Sequence, residues 1–135
     1  MQEFKLSQSR RGFTLMEIMI VVSIIGLLAT VAVPNYLRAR KRAQAGQILS
    51  DLKQLDAAIQ LYYIENNKTE ADTFSNTDLV AYIKPGSRLA LSAGKDLFGN
   101  DFVILPPDRI PKVNPATFSV LSSIAPKSFW SPHID

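Results

Sequence analysis

The sequence predicts an α+β chain: one long N-terminal helix packed on a small antiparallel sheet of three or four strands. Three observations lead there. Phe13 to Val33 is a run of 21 residues with a single charge, Glu17. Ile48, Leu52, Leu55, Ile59 and Tyr62 then step by four, three, four and three, which is one apolar stripe on a helix. Finally, the segments "RLALS", "DFVIL" and "TFSVLSS" alternate with Gly, Pro and Asn punctuation, the pattern of short strands.

Taken in order, the first segment is residues 1–12. It holds Lys5, Arg10 and Arg11 against Glu3 and reads as a polar, basic leader. An ordinary secretory signal would continue with a shorter apolar region and a small-residue cleavage site. Here the apolar run is too long, and no such site closes it. As a helix the run measures about 31 Å, one hydrocarbon thickness. Residues 13–33 are therefore expected to span a membrane.

Residues 34–66 form the amphipathic continuation. Pro34 either kinks one helix or separates two. Asn66 and Asn67 make a plausible stop, because Asn tolerates a left-handed cap. Arg, Lys, Asp and Gln are expected on the faces away from the stripe. A continuous helix from Phe13 to Asn66 would reach about 80 Å, so it cannot be the core of a compact globule. The stripe must instead be covered by residues 67–135, which alone would be marginal at that size. Within them, "TFSNTDLVAYIKPG" reads as a short helix capped by Ser75 or Thr77 and ended by Pro85-Gly86. Four prolines between Pro106 and Pro115 mark a loop.

Composition narrows the function. The net charge is +3. Residues 13–135 contribute only 12 basic against 11 acidic side chains, so the pI of 9.3 reflects the leader and does not mark a nucleic-acid partner. The chain has no cysteine, which removes disulfides and thiolate metal sites. His133 is the only histidine and is expected on the surface or in a tail, not in a metal site or a nucleophile–base pair. No phosphate loop follows a strand. No catalytic residue, metal or cofactor is expected, and the chain does not read as an enzyme. Arg38, Arg40, Lys41 and Arg42 read as a solvated or headgroup-facing helix turn. Counted as flanking charge they favour a cytoplasmic C-terminal side.

Glu17 is the anomaly, since a carboxylate at membrane depth is costly. It lies one turn into the run, where the helix dipole favours an anion. It could also snorkel, or wait for a positive partner in an assembly. Cutting after Gly12 would give Phe13 a new α-amino group four residues from Glu17. In staggered parallel helices, the amine of one chain would then meet the carboxylate of the next and fix the register.

"RRGFTLMEIMIVVSIIGLLATVAVPNY" resembles the N-terminus of type IV prepilins and type II secretion pseudopilins. The shared pattern is a basic leader ending at Gly12, then Phe13, Thr14, Leu15 and Glu17, with Gly26 and Pro34 matching the family's helix glycine and proline. The match covers roughly residues 8–62. It implies a structural subunit of a type IV pilus-like filament that polymerises through its N-terminal helix. A prepilin peptidase would cut between Gly12 and Phe13 and N-methylate Phe13. The partners implied are further copies of the chain in a helical filament, an inner-membrane assembly platform, minor pseudopilins or pilins, and membrane lipid before assembly. The location implied is the bacterial inner membrane, single-pass, with the C-terminal region outside the cytoplasm; this reverses the charge count. Gly26 and Pro34 would allow local unwinding.

Lack of cysteine and a mature length of 123 residues argue for a type II secretion pseudopilin over an adhesive, motility or DNA-uptake pilin. "KDLFGNDF" resembles the major pseudopilin's Asp-Pro-Trp-Gly-Asn-Pro-Tyr element at Asp96, Phe98, Gly99, Asn100 and Phe102, with Leu97 and Asp101 departing. That subfamily binds calcium in an acidic loop. The corresponding stretch here holds one carboxylate, Asp108, so no site is expected. The alternative from another class is a membrane-anchored binding domain that never polymerises.

Overall fold

The computed structural model describes residues 12–69, 72, 74–105 and 109–135. Lys5, Arg10 and Arg11 lie outside them, as do Pro106, Pro107 and Asp108. The element order is α1 (Leu15–Glu65), α2 (Asn76–Leu79), a 3₁₀ turn (Val80–Tyr82), α3 (Arg88–Leu91), α4 (Pro115–Leu121) and α5 (Lys127–Trp130).

Helix α1 runs through Gly26 and Pro34 without interruption, so Pro34 does not separate two helices. Its contacts fall into two compact units, Met1–Leu37 and Arg38–Asp135. In the first unit the large apolar side chains from Phe13 to Val33 are all exposed, between 50% and 85%. Water would oppose that arrangement, whereas lipid or neighbouring helices would not.

The second unit holds the core. Ala45, Ile48, Leu52, Leu55, Ala58, Ile59 and Tyr63 of α1 are buried. They meet Leu79, Ile83, Leu89, Phe102, Val113, Leu121, Ala125 and Trp130 from the rest of the chain. Each large apolar side chain buried here contributes about 1.5–3 kcal/mol. The stripe ends on Tyr63, one residue later than its expected end at Tyr62, which is half-buried. Helical spacing explains the shift, since Tyr63 lies four residues after Ile59. Asp51 also departs from expectation. It sits on the covered face at 1% exposure rather than on a solvated one.

The helix stops where the asparagines predicted. Asn67 takes a left-handed φ of 49°. The Lys68 amide donates to the Tyr63 carbonyl at 3.1 Å, closing the last turn as a Schellman motif does. Beyond it the Tyr62 ring packs edge-on against Tyr82 and tilted against Phe74, with centroids 5.6 and 5.9 Å away. The Tyr63 hydroxyl donates to the Asp72 carbonyl at 2.9 Å. Thr69 donates to the Asp72 carboxylate through its amide and its hydroxyl, which holds that group below its usual 3.8.

Helix α2 begins at the expected Ser75, which forms a capping box with Asp78. The chain turns at Gly86, with φ 78°.

The expected sheet is not there. Among the described residues the only β pairings are two isolated antiparallel bridges, Lys95 with Asp101 and Val103 with Lys112. "RLALS" is mostly helix α3, capped by Ser87, whose side chain accepts from the Ala90 amide. "TFSVLSS" is mostly helix α4, with Asn114 as the cap and Pro115 in its first turn. The fourth proline of the expected loop thus starts a helix, the position where its missing N–H costs nothing. Pro111 is fully buried. "DFVIL" contributes only the bridge residues Asp101 and Val103. The fold is therefore a long helix covered by short helices and turns. His133 is likewise not in a surface tail: it is 5% exposed, and its Nδ1 lies 2.8 Å from the Pro111 carbonyl oxygen.

Candidate functional site

Gly12, Phe13 and Thr14 lead into α1 and are exposed, Phe13 at 85%. The backbone around the expected cleavage bond is therefore open. Thr14 and Glu17 answer each other across the first turn. The Thr14 amide donates to Glu17 Oε2 at 2.9 Å, and the Thr14 hydroxyl donates to the same oxygen at 3.2 Å. The Glu17 amide donates back to the Thr14 hydroxyl oxygen at 3.2 Å. This is the reciprocal pattern of a capping box. Two amides that a helix start leaves without partners are satisfied, and one carboxylate oxygen is occupied within its own chain.

The capping box lowers the cost of placing Glu17 in an apolar setting. None of the ion pairs among the described residues includes Glu17. Of the sequence-predicted residues, the structure brings Gly12, Phe13 and Glu17 to one helix start. Gly26 and Pro34 lie further along the same helix, with open space around Gly26. Thr14 is the residue to which sequence reasoning gave no role. The signal was present as Thr-x-x-Glu ahead of an apolar run.

The run after Glu17 satisfies its few polar groups internally. Ser23 Oγ donates to the Met19 carbonyl and Thr30 Oγ1 to the Leu27 carbonyl, each at 2.7 Å. Only a segment that closes its own hydrogen bonds is tolerated in hydrocarbon. By length and composition α1 contains a stretch able to cross a membrane, and none of that stretch is buried.

Two polar networks hold the second unit. Asp51 pairs with Arg88 Nη2 and accepts from Gln47 at 3.1 Å. Arg88 Nη1 reaches the Lys95 carbonyl at 3.3 Å. Burial pushes the Arg88 guanidinium below its usual range, and the charge of Asp96 opposes that shift. The "KDLFGNDF" stretch folds into a turn around Asp96. Its carboxylate accepts from the Phe98 and Asn100 amides, at 2.8 and 2.9 Å, and from the Thr117 hydroxyl. Asn100 Nδ2 donates to the same hydroxyl at 2.9 Å, and Gly99 supplies a φ of 80°. Asp96 is thus spent on structure. Among the described residues no cluster of three or more His, Cys, Asp or Glu side chains could hold a metal.

Comparisons with known proteins follow the same division. The family described as "Prokaryotic N-terminal methylation motif" matches residues 7–33. The Klebsiella pneumoniae protein named type II secretion system core protein G is 31% identical over 115 residues, covering 79% of this chain and 82% of the relative. The Escherichia coli K12 protein of the same name is 33% identical over 111 residues, covering 75% of each chain. The type IV major pilin protein PilA of Myxococcus xanthus is 37% identical over 68 residues, but these cover 50% of this chain and 31% of the pilin. No solved structure matches the chain. Similarity to the pilin thus spans half the chain, whereas similarity to these two secretion proteins spans three quarters or more of it. The chain belongs to the family of type II secretion system core protein G, the major pseudopilins.

Proposed function

We propose that this protein is a structural subunit of a type IV pilus-like filament, the major pseudopilin of a type II secretion system. The observation that carries the reading is the join of a methylation motif over residues 7–33 to pseudopilin similarity over 79% of the chain. The chain sits in the bacterial inner membrane as a single pass, with its C-terminal region outside the cytoplasm. The basic leader, with Lys5, Arg10 and Arg11, stays on the cytoplasmic side. A prepilin peptidase cuts between Gly12 and Phe13 and N-methylates Phe13. An inner-membrane platform and minor pseudopilins then draw the subunits into a periplasmic filament.

In that filament the Phe13 amine of one subunit meets Glu17 of the next. The exposed apolar helix face supplies the adhesion, and the charge pair supplies the register. Thr14 holds the carboxylate until the partner arrives. Gly26 and Pro34 let the helix adjust when it leaves the bilayer, since Gly carries no side-chain restriction and Pro removes one helical hydrogen bond.

The test combines mass and assembly. Protein recovered from its native membrane is expected to begin at N-methylated Phe13. Glu17→Ala is expected to leave the circular dichroism of the folded region unchanged while filament yield falls at least tenfold. An uncut chain starting at Met1, with active peptidase present, would support the non-polymerising anchor instead. Wild-type filament yield from Glu17→Ala would remove the charge-pair mechanism.

A further inference from the structure

Arg38, Arg40, Lys41 and Arg42 place four cations within five residues of α1. No Asp or Glu occurs between Ile18 and Ser50, and none of the ion pairs among the described residues uses any of the four. Arg38, Arg40 and Arg42 are exposed, and Lys41 is half-buried. At about 100° per residue, Arg38, Lys41 and Arg42 share one side of the helix and Arg40 falls on the other. The charge is therefore weighted to one side but not confined to it. A nucleic-acid groove is best met by cations on one face, whereas a rod emerging from a bilayer meets headgroups on every side.

Two further features point the same way. The cations follow the apolar run in sequence, beginning about one helical turn after Pro34 and ending just over two turns after it, and between run and cations lies Tyr36, 67% exposed. Tyr is the kind of amphipathic ring that settles at headgroup depth. Beyond the cluster the field does not continue: residues 43–135 hold eight basic and ten acidic side chains. A long polyanion would gain nothing there, but a lipid phosphate needs only the local charge.

We propose that Arg38, Arg40, Lys41 and Arg42 form a collar that binds the phosphate headgroups of anionic membrane lipid. The proposal rests on the membrane residence argued above and names the lipid class the waiting subunit prefers. The collar fixes the depth of the helix in the bilayer. It also resists extraction, because a subunit entering the filament must release its headgroups. Lysine would serve as well as arginine, since the interaction is with diffuse headgroup charge rather than a shaped bidentate site.

The full chain, reconstituted in phosphatidylcholine bilayers, would be probed with trace spin-labelled phosphatidylglycerol or spin-labelled phosphatidylcholine. The motionally restricted fractions report relative affinity. Wild type is expected to prefer phosphatidylglycerol by about fivefold, the effect of one well-engaged cation at a membrane surface. The preference should shrink in high salt. The variant with Arg38→Gln, Arg40→Gln, Lys41→Gln and Arg42→Gln should show none, with helical circular dichroism confirming that it still folds. Replacing the three arginines by lysine should keep it. A wild-type chain with equal affinity for both lipids, or a glutamine variant that keeps the preference, overturns the proposal. Retention of a duplex oligonucleotide without any lipid preference would also overturn it, in favour of nucleic acid. Failure here leaves filament yield untouched, and an uncut, unassembled chain could still show the lipid preference, so the two readings fail separately.

Discussion

Thr14 and Glu17 show how much one turn of helix can do with two polar side chains. The hydroxyl both donates and accepts, so the carboxylate is held close to the backbone amides that a helix start exposes. Glu17 could be singled out from sequence because it interrupts an apolar run. Asp51 could not, because a carboxylate on an amphipathic helix ordinarily faces water. Its partner Arg88 is 37 positions away, and no local pattern links them. Asp51→Ala would leave the Arg88 guanidinium half-covered without its counter-charge. The expected loss is about 2–3 kcal/mol, below the value for a fully buried pair because Arg88 keeps some solvent contact. Chemical denaturation of the full chain in detergent measures it. The double change Asp51→Leu with Arg88→Met should recover most of the loss. A double variant as unstable as the single one would show that the carboxylate is needed for more than this cation.

Two of the expected strands are helices because a cap precedes each of them. Ser87 before "RLALS" and Asn114-Pro115 before "TFSVLSS" are helix-start signals, and each side chain accepts a backbone amide within three residues. Asn114 also donates from Nδ2 to the Asp101 carbonyl at 3.0 Å, which ties α4 to the bridged segment. Asn114→Ala should therefore cost about 1–2 kcal/mol, near the upper range for a lost cap. Thermal unfolding monitored by circular dichroism would detect it, and an unchanged midpoint would show that Pro115 alone starts the helix. Short apolar runs carry little information on their own, since five or six residues cannot distinguish a period of two from one of 3.6. The long helix was legible because its stripe repeats over four turns.

In the whole molecule, every buried side chain among the described residues lies at Ala45 or beyond. The apolar run contributes nothing to that core, so the covered region should not depend on it. A chain beginning at Arg38 is expected to be soluble and monomeric and to unfold in one cooperative transition. Dispersed amide resonances and a sigmoidal melt would support this. A molten, aggregating fragment would show that the core needs the preceding helix as a nucleus. The sequence alone determined the membrane-length run, the carboxylate within it, the stripe and its asparagine stop, because each depends on neighbours within a few turns. Only the tertiary structure decided that the cover is helices and turns rather than a sheet, that Asp51 is buried against Arg88, and that His133 packs beside Pro111. Those outcomes depend on which distant groups satisfy a buried polar atom, and chain order does not encode that in any local period.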